Sequence, residues 1–347
     1  MAQLSPRAFE THSTHSFASA VQLDLFFKTK TGADFVDWFN QRLAGNGAFA
    51  DRRIRPDAGE DILAVKREFA EFWDTIPVVF AKPAISLFDF AALMCIAINE
   101  TGGRFRSRTE ICGRGAKDNT GRRHEGLSYA FDRLPGIKKS YNTLAGNRTA
   151  RACFCDPVFC LAHRDLALAD QLSGVDDPGR VNAVWEGDLY PFEQFPVVED
   201  LEQTGFIMQA DFYKFRGRGP IQITGRAPYR KLAAFIQAYM GPNAVLQEFK
   251  AKWQTLTPDE ACTASRNSDW DEIFREKTIV PHALRTYADL AVPSKNMFSM
   301  QLDLDKLNAP TRQAGSFFSV GRIISGTDDY AKNKYLPRVV EMLEALV

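Results

Sequence analysis

Two carboxylates in this chain stand where acid–base chemistry could be done. Glu100 closes the apolar stretch "SLFDFAALMCIAINETGG", residues 86–103, directly after "LMCIAI". A carboxyl group there is partly desolvated and lies beside the negative end of a helix dipole, and both effects disfavour its charged form. A carboxyl still protonated near neutral pH is what a general acid requires. Glycoside hydrolysis needs a second carboxyl group across a groove. Glu125 in "RRHEGLSYAF" is the first candidate, Glu110 in "RTEICGRG" is its rival, and the acids at 186–202 are more distant ones. The plain alternative for Glu100 is a helix-end side chain that turns to water or pairs with Arg104 or Arg106.

A second feature is "KFRGRGPIQITGR", residues 214–226, with three glycines and three arginines. It lacks the Gly-Lys-Ser/Thr ending of a phosphate-binding loop, and it has no interleaved aromatics on which bases would stack. Its glycines let backbone come close to a ligand, and Gln222 and Thr224 offer polar groups. A third is "CFCDPVFCLAH", which crowds Cys153, Cys155 and Cys160 ahead of His163. The Cys-x-Cys gap is shorter than the usual zinc-ligand pair and no second pair follows, so a loop disulfide or buried thiols fit better than a zinc knuckle. His12 and His15 show no ligand spacing. Neither a metal nor a cofactor is expected.

Several elements must position these residues. Apolar side chains at Ile62, Val65, Phe69, Phe72 or Trp73, and Ile76 recur at helical spacing over 61–76. Residues 86–103 read as a core helix stopped by Gly102–Gly103. A helix follows in "APYRKLAAFIQAYMGP", ended by Gly241–Pro242, and two more in "SFFSVGRIISG" and "DDYAKNKYLPRVVEMLEAL", the last interrupted at Pro337. Residues 1–20 read as loosely held, and 104–126 and 174–205 as long loops. No internal repeat or set of alternating strands is visible, so the chain is expected to be mainly α.

The totals narrow the function classes. At 347 residues there is room for about two domains. Lys plus Arg and Asp plus Glu are 43 each, so no global field draws the chain to nucleic acid or anionic lipid. No stretch approaches a membrane span, so no membrane insertion is expected. The N-terminus lacks the pattern of a secretory signal, which predicts synthesis in the cytoplasm.

Four segments carry a family resemblance. "INETGG" resembles the H-E-[ST]-x-G-G segment of glycoside hydrolase family 19, the chitinases and phage-type endolysins. "EGLSYAF" is similar to the E-N-L-N-Y-S-A segment of its bacterial and phage branch. "YKFRGRGPIQITGRAPY" is similar to Y-R-G-R-G-x-I-Q-L-T-G-R-x-N-Y, and "VGRIISG" to the R-I-N-G-G region. They occur in the family's order over about residues 86–340.

The resemblance implies an α+β lysozyme-like fold, bilobal with a deep cleft. Residues 81–347 would form the catalytic domain, with insertions at about 104–123 and 174–205. Residues 1–80 would be a helical N-terminal extension for targeting or buttressing. It implies Glu100 as general acid, Glu125 as the base that activates water, and Thr224 as the group that holds that water. Gln222, Tyr129, Arg218, Tyr229 and Arg322 would meet substrate or tune the carboxylates. The family inverts the anomeric centre, which suits carboxylates roughly 6.5–9.5 Å apart. The expected partner is a peptidoglycan strand, with chitin second and nucleic acid excluded. Action at the cell wall or periplasm would follow release or injection, bringing a delivery machinery or an immunity protein as protein partners. Three positions depart from the pattern: Asn99 stands for His, Pro228 for Asn, and Ile324 for the Asn of R-I-N-G. Each replaces a group that would contact sugar or support an acid.

Overall fold

The computed structural model describes residues 2–103, 105–107, 109, 215–289, 300, 302–311, 313, 315–325 and 327–347. Helix α1 spans Pro6–His12, α2 Ala20–Thr31, α3 Phe35–Arg42, α4 Ile62–Val79 and α5 Leu87–Thr101. Further along, α6 spans Arg226–Gln237, α7 Ala244–Trp253, α8 Pro258–Ala264, α9 Asn267–Ile273, α10 Ile279–Asp289, α11 Phe317–Ser325 and α12 Leu336–Glu344. Two-residue strands β1 (Ser16–Phe17) and β2 (Ile85–Ser86) pair antiparallel, with Ser16 opposite Ser86 and Phe17 opposite Ile85. The described chain is mainly helical, as its periodicity predicts.

It divides into two compact units. One comprises Met1–Arg108, Gly219–Gln222 and Lys277–Val347, the other Thr109–Arg218 and Ile223–Glu276. The division therefore falls elsewhere than at residue 80. Residues 2–80 are built into the same unit as α5 and the C-terminal helices.

In the first unit α5 is the axis. Ser86 caps its N-terminus by accepting from Asp89 N, and Gly102 ends it at φ 67°, a left-handed turn that favours glycine. Every residue from Leu87 to Ile98 is buried, which explains an apolar sequence without a polar face. Helix α4 starts at its Asp61 cap and buries Val65, Phe69, Phe72, Trp73 and Ile76 of the predicted face, with both Phe72 and Trp73 inward and Ile62 only half-buried. Its aromatics join those of α2 and α3 around Phe90 of α5. Phe35 and Phe90 meet edge-on at 4.9 Å, Trp73 and Phe90 at 5.0 Å. The aromatic run at 69–73 is thus core packing against α5.

The expectation of a loosely held start is overturned. Leu4 is bonded in both directions to Asn308, its N–H reaching Oδ1 at 2.8 Å and its carbonyl accepting from Nδ2 at 2.9 Å. Ser5 binds the Glu344 carboxylate through its N–H at 2.7 Å and its hydroxyl at 3.1 Å. His12 Nε2 lies 2.9 Å from the Leu343 carbonyl, which fixes the proton on that nitrogen because a carbonyl can only accept. Polar composition suggested mobility; long-range partners supply order.

At the C-terminal end, Pro337 acts as expected of a residue with no N–H to donate. The chain runs from Asp328–Tyr330 through a π-helical stretch, Ala331–Tyr335, into α12, where Pro337 falls in the first turn. The wider π turn lies just where proline would clash with the carbonyl four residues back.

In the second unit α6 stops at Ala238, ahead of the expected Gly241–Pro242. Pro228, Tyr229, Leu232, Ala233 and Ile236 form its buried face. Tyr239, inside the segment expected to be helical, lies beyond the helix, and its hydroxyl accepts from Asn243 N at 3.2 Å.

Candidate functional site

Glu100 emerges, half-buried, where α5 runs out of apolar neighbours. One partner is the residue before it. Asn99 Nδ2 donates to Glu100 Oε1 at 2.7 Å. Asn99 Oδ1 accepts from Arg52 Nη2 at 3.1 Å and from Arg338 Nη1. Two guanidiniums, which only donate, fix which end of this amide is oxygen, so the donor end must face the carboxylate. Arg338 is itself buried, donating Nε to the Ala48 carbonyl at 3.0 Å and pairing with Asp51 at 3.4 Å. The departure from His at 99 therefore leaves a hydrogen bond to the acid in place.

Tyr330 borders this cluster. Its hydroxyl is buried with no hydrogen-bond partner. Burial, and after it the neighbouring Glu100 carboxylate, push the phenol well above the ordinary tyrosine range, so it stays a donor. The ion pair of Arg322 is with Asp328, Nε to Oδ1 at 2.5 Å, in place of the carboxylate-tuning contact expected for it. Sequence reasoning missed Arg52, Tyr330 and Arg338. No local pattern marks them, because they arrive from segments far apart in the chain.

The motif at 214–226 forms a tight turn. Arg218 and Ile223 pair through two backbone bonds, 3.2 and 2.9 Å, closing the four residues between them. Gln222 takes φ 53°, uncommon for a side chain with a Cβ, and turns its Nε2 onto the Gly219 carbonyl at 3.0 Å. Thr224 is half-buried. Gly225 has φ 88° with open space around a notional Cβ, so backbone conformation, not crowding, calls for glycine there.

Arg218 and Tyr229, expected against sugar, are both 0 % exposed. The Arg218 guanidinium binds Asp271 of α9 through Nε at 2.9 Å and Nη2 at 2.8 Å, and donates Nη1 to Tyr229 Oη at 2.9 Å. Tyr229 in turn donates to the Arg216 carbonyl at 2.7 Å, and Arg216 shares Asp271 at 3.1 Å. A buried cation persists only when paired and hydrogen-bonded, and this one is. The substrate contact expected of both residues is replaced by a supporting one: they hold the segment that carries the motif.

Glu125 and Tyr129 lie outside the described residues, as do Glu110, Cys153, Cys155, Cys160 and His163. Cys95 and Cys262 are buried. Among the described residues no three His, Cys, Asp or Glu side chains converge as a metal site. A pocket of about 420 Å³ opens between α4 and α10, lined by Phe72, Val79, Phe105, Val280, Pro281 and His282 among others, and Glu100 is not part of its wall. No helix among the described residues is long and apolar enough to cross a membrane.

Compared with protein-family models, curated proteins and solved structures, the chain matches none.

Proposed function

We propose that the protein is a cell-wall glycan hydrolase that cleaves β-1,4 bonds of peptidoglycan by an inverting acid–base mechanism, with chitin as the second polymer to test. The observation that carries the reading is a carboxyl group at the end of a helix buried from Leu87 to Ile98, held by a neighbour's amide whose orientation two guanidiniums enforce. Orientation of this kind is what proton delivery to a bound glycosidic oxygen requires. The four segments similar to family 19 supply the remaining roles. Glu100 gives its proton to the leaving oxygen, Glu125 takes one from water, Thr224 holds that water, and Gln222 meets the sugar.

A glycan-holding protein without turnover is the second reading. It is favoured by Gln222, whose amide is turned onto its own loop, and by the enclosure of Arg218 and Tyr229.

Clearing of purified cell walls by wild type and Glu100→Gln separates the two. Loss of the proton at 100 should slow clearing by about 10²–10⁴-fold. Equal clearing by both proteins, or by neither, removes the hydrolase reading. Mass spectrometry of fragments released from peptidoglycan and from chitin identifies the polymer and the bond.

A further inference from the structure

We propose that the pocket between α4 and α10 binds a compact ring-bearing amine, its apolar body against Phe72, Phe105 and Val280 and its ammonium at Asp74. Binding there is independent of any role for Glu100. The pocket lies within the unit built from Met1–Arg108, Gly219–Gln222 and Lys277–Val347. Packed interiors leave few voids larger than a water molecule. A recess of about 420 Å³ is instead of the size that small ligands occupy, about 300–1,000 Å³. Its apolar lining comes from three segments: Phe72 and Val79 of α4, Val280 and Pro281 of α10, and Phe105 just after α5. The Phe72 and Phe105 ring centroids stand 5.9 Å apart, so a ligand ring can join an aromatic pair that is already formed.

Charge decides which ligand fits. Arg106 and Lys277 line the wall, and both are already matched. Arg106 makes two hydrogen bonds of 2.9 Å to Glu60, pairs with Glu68 at 3.1 Å and also with Asp57. Lys277 pairs with Glu71. Burial, and after it Arg285, press the His282 imidazole down to about 4, so it adds no charge near pH 7. An anionic ligand would have to draw a cation away from a carboxylate that holds it. Asp74 offers the opposite. It is exposed, its Oδ1 accepts from the Ala20 N–H at 2.6 Å, and among the described residues it pairs with no cation. A carboxylate oxygen to spare beside an apolar recess suits a protonated amine, and the aromatic rings favour a cation as well.

Isothermal titration of the full chain near pH 7 with naphthylmethylamine, naphthylmethanol and naphthylacetate tests this, since the three probes share a ring system and differ in charge. The amine should bind with a Kd of about 0.1–1 mM, about fivefold tighter than the alcohol and at least about tenfold tighter than the acid. Asp74→Asn keeps an oxygen for the Ala20 N–H and removes the charge. In that variant the amine should fall to the alcohol's affinity, with the alcohol unchanged. Thr75→Phe, at a half-buried position on the wall, fills the recess and should weaken the amine by at least about tenfold. No preference of wild type for the amine over the alcohol, tighter binding of the acid, or no binding of the amine at all overturns the proposal. So does an amine preference that survives Asp74→Asn. Unchanged amine affinity in a Thr75→Phe protein that melts like wild type places the probe elsewhere and overturns it too. Should Thr75→Phe fail to fold, the Asp74→Asn comparison decides alone.

Discussion

Asp271 holds two cations at once, Arg218 with no exposed surface and Arg216 with almost none. Removing one partner of a buried ion pair leaves the other desolvated and uncompensated, which costs about 3–5 kcal/mol. Asp271→Ala should therefore lower the unfolding free energy by about that amount in urea titrations, and a loss under about 1 kcal/mol would show that water reaches the arginines. The motif's arginines were easy to find in the sequence and easy to misassign. A guanidinium suits a sugar hydroxyl and a carboxylate equally well, and Asp271 lies more than fifty residues away from both. Asn99 shows the same gap. Its identity is read directly from the chain, but that two arginines from distant segments converge on its oxygen is not.

Among the elements, α5 was the most legible. A long apolar run, a serine cap at one end and paired glycines at the other state its limits and its burial together. Helix α11 carries a less visible constraint. A Cβ at Gly321 would fall well inside contact distance of the Tyr335 ring, at its base rather than its flexible tip. Tyr335 is itself tied to α5, its hydroxyl donating to the Ala92 carbonyl at 3.0 Å. Gly321→Ala should force that packing apart at a cost of about 1–3 kcal/mol, read as a lower melting temperature. An unchanged melting temperature would mean the π turn yields. The glycine in "VGRIISG" was matched as part of a sugar-site segment; the fold gives it a packing reason as well. The early end of α6 was not legible, since Ala238 to Met240 continue a helical pattern that nothing local interrupts.

At the scale of the whole molecule, both chain ends are fastened into one unit. The last helix binds Ser5 through Glu344, the Ala48 N–H through Glu341 at 2.7 Å, and the Ala48 carbonyl and Asn99 through Arg338. Global stability also carries a pH signature. Burial, then Arg285, press His282 down to about 4, and burial lowers His12 as well. A histidine depressed in the fold takes up its proton first in the unfolded chain. Stability is then complete above about pH 6.5 and lost as pH falls towards 4, on the order of 2 kcal/mol for His282 after solvent screening. Asp89, whose carboxyl burial pushes up, works in the opposite direction. The comparison that isolates the histidine is wild type against His282→Gln by thermal melting from pH 7 to 4. The variant should lose less stability over that range, and parallel curves would contradict the assignment.

The residues themselves determined what short-range physics decides: helices at 62–79 and 87–101, their caps, the proline break, and a carboxylate at the edge of a buried helix. Which polar groups meet was decided only by the tertiary structure. Hydrogen bonds such as Leu4 with Asn308, or Arg338 with Asn99, join residues hundreds of positions apart. Periodicity and capping act over one or two turns, and a side chain's partners depend on packing across the entire unit.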